Sequence, residues 1–411
     1  MKIPRVAFFT DSFHEVNGVA LTSRQFDRFA REHEYPFLSV HAGPKTVDRI
    51  EGVHETVEIA RSRILIGLER DLAFDLLFWR YRDMLRERVR AFNPDLVHIT
   101  GPGHLGILGA RIAYDLKVPL VASWHTNVHE FAGRRLAKLL RHWPASWRNG
   151  MVDFAERKSL DLIMKFYSLA KLQFAPNPEL VELVAERTGS PAFLMQRGID
   201  TSLFNPQRRT RTDSEFVVGY VGRLSPEKNV RLLASLERFT GFRFLIVGDG
   251  SERKWLAANM KNVELPGVLQ GVQLAEAYAN MDAFVFPSET DTFGNVVVEA
   301  LASGVPAVVS SGGGPKFLVD EGVTGFVASS EAQFLEAILK LKRNFDLRRD
   351  MRRSAPEAAS QRSWEAVFAG IYSRYGYLKT SFSTFPEDPL GGSVPSKAAR
   401  VGAMSVTATL S

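Results

Sequence analysis

Two short strings in this 411-residue chain combine residue types suited to holding a polyanion and a polyol. The first is Pro287-Ser288-Glu289-Thr290-Asp291-Thr292-Phe293-Gly294-Asn295-Val296-Val297-Val298-Glu299-Ala300. An apolar strand runs into a polar loop, a glycine and then a helix. The N–H groups of Gly294, Asn295 and Val296 would be unpaired donors of that helix's first turn. With the aligned peptide dipoles they would attract a diphosphate. Asp291 stands at the mouth, and Glu299 lies where a carboxylate could bridge two vicinal hydroxyls. The second string is Val221-Gly222-Arg223-Leu224-Ser225-Pro226-Glu227-Lys228-Asn229. Arg223 supplies a planar fork for phosphate oxygens, and Lys228, past a proline turn, supplies a point charge. Cations at the carboxyl end of a strand stand where an α/β fold binds anions.

Other chemistry-bearing residues narrow the choice. His125 closes the apolar run Pro119–Trp124, and with His129 it forms a His-x-x-x-His pair. The helical glutamate of a zinc protease is missing and no third ligand is evident, so no metal is expected there. Gly101-Pro102-Gly103-His104-Leu105-Gly106 mimics a dinucleotide fingerprint. It falls in a later βα unit, and the following strand lacks the expected ribose-binding acid, which leaves a tight cleft-lining turn. The chain has no Asp-x-Asp string to clamp a metal–diphosphate, and fixed cations and helix-terminus dipoles can serve instead. It has no cysteine, which excludes disulfides and thiolate chemistry.

The elements that must position these residues alternate from end to end. Strand-like runs are Arg5–Thr10, Phe37–His41, Leu96–Thr100, Pro119–Trp124, Leu172–Pro176 and Ala192–Arg197. A second series follows at Phe216–Val221, Phe242–Gly248, Ala283–Pro287 and Ala307–Ser310. Continuous rather than alternating hydrophobicity predicts parallel strands covered on both faces, hence two doubly wound Rossmann-like units. The polar, proline-punctuated Asn205–Ser214 stretch marks the break. The expected organisation is residues 1–205, 212–362, a helix over 363–378 and a disordered tail over 379–411. Apolar residues at 45% exclude a wholly disordered chain.

Gly222-Arg223…Glu227-Lys228, Val247-Gly248-Asp249-Gly250, Leu274-Ala275…Tyr278…Met281-Asp282 and Asp291…Phe293-Gly294…Glu299-Ala300-Leu301-Ala302-Ser303-Gly304-Val305-Pro306 resemble the retaining GT-B glycosyltransferases of family 4. Among these the likeness is greatest to bacterial GDP-mannose-dependent α-mannosyltransferases and to sulfoquinovosyl- or glycosyl-lipid synthases. The resemblance runs to about Leu378 and is denser in the second half. It implies two domains facing a cleft, with the C-terminal helix crossing back to the first. It implies a nucleotide-sugar donor, an α bond formed with retention, and no metal or other cofactor. By resemblance Arg223 and Lys228 hold the diphosphate, Asp291 and His125 meet the donor sugar, and the amides after Phe293 face the phosphates. Glu299 takes the ribose hydroxyls, the Leu265–Val268 turn reads the base through its backbone at Val268, and Gly18 belongs to a loop closing over the donor. The family usually has glutamate where this chain has Asp291.

GDP-mannose is the first expectation for the donor and a UDP-hexose the alternative; the acceptor is expected to be a lipid or glycan hydroxyl. The net charge of +6 fits an anionic partner. Phe131–Arg148 and Leu76–Phe92 interleave arginines with apolar residues and could rest on an anionic membrane. No run of residues matches a secretory signal or reaches the ~18–20 apolar residues of a membrane span, so the expectation is a cytoplasmic protein, free or peripheral at the inner face of the membrane. Competing readings are an epimerase or phosphorylase of the same architecture, or a basic nucleic-acid-binding protein. The last lacks aromatic-glycine motifs, zinc spacing and a basic arm, so nucleic acid is not an expected partner.

Overall fold

The computed structural model describes residues 3–15, 17–62, 65–69, 72–75, 77–125 and 145–382. Strands β1 (Val6–Thr10), β2 (Phe37–Gly43), β3 (Val47–Glu51), β4 (His54–Ala60), β7 (Leu96–Ile99), β8 (Leu120–Ser123), β9 (Leu172–Ala175) and β10 (Ala192–Leu194) form one sheet. Their order is β10-β9-β8-β7-β1-β2-β4-β3. A separate antiparallel ribbon joins β5 (Leu65–Glu69) to β6 (Leu72–Asp75). The second sheet comprises β11 (Val217–Val221), β12 (Arg243–Val247), β13 (Val263–Gly267), β14 (Ala283–Phe286), β15 (Ala307–Ser310) and β16 (Gly325–Ala328). Its order is β13-β12-β11-β14-β15-β16, and all its pairs are parallel.

The central strands are buried at every residue, as their unbroken apolar runs require. The departure is β3, which pairs antiparallel with β4 at the sheet edge. Its charged, exposed residues are the kind that keep an edge from pairing with another chain. In each sheet the winding reverses once at the centre, between β1 and β7 and between β11 and β14. An α/β sheet presents its ligand crevice outside the carboxyl ends of strands at such a switch point.

The helix Trp364–Phe382 leaves the second unit and packs on the first. Phe368, Ile371, Tyr372, Tyr375 and Leu378 share a core with Phe8, Phe26 and Phe37. Phe26 and Phe368 stack with centroids 4.7 Å apart. Helical structure continues four residues beyond Leu378, so 379–382 are not part of a tail; residues 383–411 lie outside the described residues. The Asn205–Ser214 stretch is anchored rather than loose. Arg209 and Arg211 reach Asp282 at 3.0 and 3.2 Å, and Arg209 also donates to the carbonyls of Ala279 and Met281.

The basic stretch Leu76–Phe92, described from Leu77, is a laced surface rather than a free cationic face. Arg80 pairs with Asp75, Arg82 with Asp115, Arg86 and Arg90 with Glu87, and Arg88 with Asp48 and Glu55. Most of Phe131–Arg148, together with His129, lies outside the described residues. Among the described residues no helix is long and apolar enough to cross a membrane.

Candidate active site

The two strings recognised in the sequence exit adjacent strands, β11 and β14, at the switch point of the second sheet. Gly222 follows β11 with φ +151°, and Gly248 follows β12 with φ +140°. A Cβ on Gly248 would lie 1.9 Å from the Gly222 carbonyl oxygen, so the strand ends touch through bare backbone. Tyr220 donates its hydroxyl to the Arg223 carbonyl at 2.9 Å, fixing the turn beneath an exposed guanidinium. Arg223 makes no side-chain hydrogen bond or ion pair among the described residues. The turn Pro226–Lys228 then brings the Lys228 ammonium to both oxygens of Asp291, each at 2.7 Å.

Asp291 belongs to the loop that leaves β14. The Gly314 amide donates to its carbonyl at 2.7 Å, and a Cβ on Gly314 would fall 1.9 Å from the Thr292 carbonyl oxygen. The buried Phe293 anchors the loop, and Gly294 with φ +98° opens the helix Asn295–Ala302. The Val297 amide is taken by Gly294, whereas those of Gly294, Asn295 and Val296 have no acceptor among the described residues. One turn on, Glu299 accepts from the Tyr278 hydroxyl at 2.7 Å. Burial raises the Glu299 carboxyl above its ordinary range, and the Tyr278 hydrogen bond works against that. Leu265, Pro266 and Gly267 are the end of β13 rather than a turn; Val268 follows them and is exposed.

The first sheet faces this cluster with different chemistry. His125 follows β8 and is buried. Its Nε2 is 2.8 Å from Ser123 Oγ, which is 3.0 Å from His98 Nε2, and His98 Nδ1 meets the Tyr375 hydroxyl of the C-terminal helix. Burial lowers His98 to about 3 and holds His125 well below its ordinary value, the Arg197 charge acting the same way. Two orderings satisfy the row: Tyr375 donates to His98, His98 to Ser123 and Ser123 to His125, or each bond runs the other way, and in both the two imidazoles are neutral. The glycine string after β7 is a turn around an internal anion. The Asp11 carboxylate accepts from the Leu105 amide at 2.9 Å and from His104 Nδ1 at 2.9 Å, at the N-terminus of the helix His104–Leu116.

Polar contacts join the two halves around these residues. Asn177 Nδ2 donates to the Thr292 carbonyl at 2.8 Å, Thr292 Oγ1 to the His125 carbonyl at 3.4 Å, and Lys316 pairs with Glu179 at 2.7 Å.

The profile described as Glycosyltransferase Family 4 matches residues 19–203, and that described as Glycosyl transferases group 1 matches residues 203–358. The GDP-mannose-dependent alpha-mannosyltransferase of Mycobacterium tuberculosis is 31% identical, over 90% of this chain and 96% of its own. That of Mycolicibacterium smegmatis is 33% identical, over 79% and 84%. The chain belongs to the family 4 glycosyltransferases. Its fold matches the sucrose-phosphate synthase of Thermosynechococcus elongatus at a TM-score of 0.69 and 18% identity, over 92% of this chain and 99% of that one. This is the GT-B arrangement.

One residue of the transferase's cleft had no role assigned from the sequence. Arg197, read there as the end of a strand, lies beyond β10 and reaches across to Asn295 Oδ1 at 3.3 Å. A Cβ on Gly18 would fall 1.9 Å from its Nη1, so Gly18 is the space in which the guanidinium lies. Burial lowers Arg197 to about 10, and the Asp291 charge opposes that fall. Arg197 thus stands among Gly18, Asn295, Asp291 and His125, a third cation beside Arg223 and Lys228. The available signal was its Arg197-Gly198 pair at a strand exit, the same residue types as Gly222-Arg223.

Proposed function

We propose that this glycosyltransferase moves a hexose, mannose first, from a nucleotide-diphosphate sugar to a lipid or glycan hydroxyl, forming an α bond with retention. The carrying observation is the meeting of Lys228 and Asp291 at 2.7 Å beside the unpaired amides of Gly294, Asn295 and Val296. Sugar-binding acid and phosphate-binding donors thereby lie on one strand-end cluster. The choice of GDP-mannose is supported by the relatives named GDP-mannose-dependent. Because GDP-mannose is itself α-linked, an α product means retention.

In this reading Arg223, Lys228 and the helix amides stabilise the diphosphate as its negative charge grows, and they need no metal to do so. Each preorganised donor contributes about 3 kcal/mol to lowering the barrier. Asp291 accepts from hydroxyls of the sugar, Glu299 from those of the ribose, and the backbone at Val268 borders the base. His125, held neutral by burial, meets a sugar hydroxyl. The acceptor attacks from the face that the diphosphate leaves, and a phosphate oxygen takes its proton; the alternative is a double displacement in which Asp291 first takes the sugar.

The test is thermal stabilisation by GDP, UDP, ADP and their sugars, without added metal, in the wild type, Arg223→Ala and Lys228→Ala. A nucleotide at a hundred times its dissociation constant should add about 2.7 kcal/mol. The expected result is a shift with GDP that both variants lose. A shift with UDP alone moves the donor to a UDP-hexose. No shift with any nucleotide rejects the donor site.

A further inference from the structure

We propose that the first domain carries a zinc-type divalent cation site made by His14, His41 and Glu58. It shares no residue with the donor cluster and does not depend on the donor assigned above. One ligand atom from each residue lies within 4.8 Å of the others, the one such trio among the described residues. Two of the three are fixed by sheet register. His41 on β2 and Glu58 on β4 are direct partners across a parallel pair, so both side chains leave the same face. His14 comes from the loop after β1 and meets Glu58 Oε2 at 3.1 Å, while His41 Nδ1 lies 4.0 Å from that same oxygen. Neighbouring ligands of a tetrahedral zinc are separated by about 3.3 Å, given bonds of about 2.0–2.1 Å. The trio therefore needs only a small closure.

Three further features favour a ligand site over a chance cluster. His41 is 3% exposed, yet its Nδ1 has no hydrogen-bond partner among the described residues. A buried nitrogen lone pair or N–H left unpaired is costly, and a metal bond would use the lone pair. The ring is also locked: Phe13 stacks on it with centroids 3.9 Å apart and planes 4° from parallel. The carboxylate is oriented too. Its Oε1 accepts the Lys45 amide at 3.3 Å, and a Cβ on Gly43 would fall 2.1 Å from that oxygen, so a glycine makes the room it occupies.

Two imidazoles and one carboxylate suit zinc and its first-row neighbours; calcium and magnesium prefer all-oxygen sets. Three protein ligands leave a position for water. The physical effect would be to tie the Asp11–Glu15 loop to β2 and β4. That loop carries the Asp11 that caps the helix His104–Leu116, and it leads into Gly18 beneath Arg197.

The experiment uses the full chain, stripped with a chelator and titrated with Zn2+ against a chromophoric competitor, with Co2+ absorption as the geometric readout. Compared with it are His14→Ala, Glu58→Gln and His33→Ala, the last removing a different surface His–Glu pair. His14 is half exposed, so its variant does not threaten folding. The expected result is one Zn2+ per chain with intense four-coordinate cobalt bands. Affinity should fall at least about tenfold in His14→Ala and Glu58→Gln and stay unchanged in His33→Ala. Absence of stoichiometric uptake at micromolar free zinc overturns the site. So does uptake that His14→Ala leaves unchanged, or that His33→Ala weakens equally.

Discussion

The two sheets reverse their winding at equivalent points, yet the crevices outside those points have opposite character. At the second sheet, Arg223 is exposed, Lys228 is matched by one carboxylate, and among the described residues neither Arg223 nor the first amides of the helix Asn295–Ala302 have a hydrogen-bond partner for their donors. At the first sheet, the corresponding helix terminus is already occupied by the Asp11 carboxylate, and the neighbouring polar groups form the neutral row Tyr375–His98–Ser123–His125. Topology offers two anion-binding positions, and side-chain charge keeps only one open. Beyond Asp11 and the Arg197 that reaches across to Asn295, the first domain presents a row of hydrogen-bonding groups that carry no charge, which suits a sugar and its acceptor better than a diphosphate.

The largest expected effect comes from breaking the charged half. Asp291→Asn keeps the shape but leaves Lys228 without its partner and weakens the acceptor for sugar hydroxyls. Transfer should fall by about 10²–10³-fold in kcat, of the order seen when one preorganised transition-state group is lost. Nucleotide binding should persist, because Arg223 and the helix amides are untouched. Release of sugar from GDP-mannose, beside nucleotide-dependent thermal shift, separates the two. Activity within a few fold of wild type would remove Asp291 from the chemistry.

A smaller effect sharpens the neutral half. Burial lowers His98 to about 3, whereas an unfolded histidine titrates near 6.5. Below that value the unfolded chain takes up a proton that the folded chain refuses. Stability is therefore full above pH 6.5 and drains away as the pH falls towards 3. Each such histidine contributes about 1.4 kcal/mol per pH unit in that window. Urea unfolding at pH 7, 6 and 5 should show the fall, with the slope reduced by one proton in His98→Gln. An unchanged slope in that variant would mean that His98 is charged in the folded state and the row is not neutral.

Much of this was legible in the sequence, and the exceptions have physical reasons. Strands buried on both faces, such as β1, β7, β11 and β14, stand out as unbroken apolar runs. In β4 only alternate positions such as Val57 and Ile59 are buried core, and β3 is an exposed edge, so neither makes such a run. β13 carries Pro266 and Gly267, which read as a turn until the sheet edge is seen to tolerate them. Within the site, residues that act through local backbone were readable: the glycine before the helix, the acid at its mouth, the cations after β11. Arg197 and the His98–Ser123–His125 row were not. Their partners lie on other elements, up to 277 residues away in the case of Tyr375, and only the topology brings them together.

The smallest effect bears directly on why one switch point is closed. Asp11→Asn keeps an oxygen for the Leu105 amide, while Asp11→Ala removes it. Loss of an N-terminal helix cap costs about 1 kcal/mol, so Asp11→Ala should be destabilised by roughly that amount in urea and Asp11→Asn by less. If side-chain charge is what closes the first domain to phosphates, both variants uncover a helix terminus able to take an anion. Inorganic phosphate or sulfate should then stabilise both variants more than the wild type. GDP affinity should change little, because Arg223 and Lys228 sit on the other sheet. Equal stabilisation of all three proteins by phosphate would mean that Asp11 does not act as the resident anion. The difference between the two crevices would then have to come from the positive charges of Arg223 and Lys228 alone.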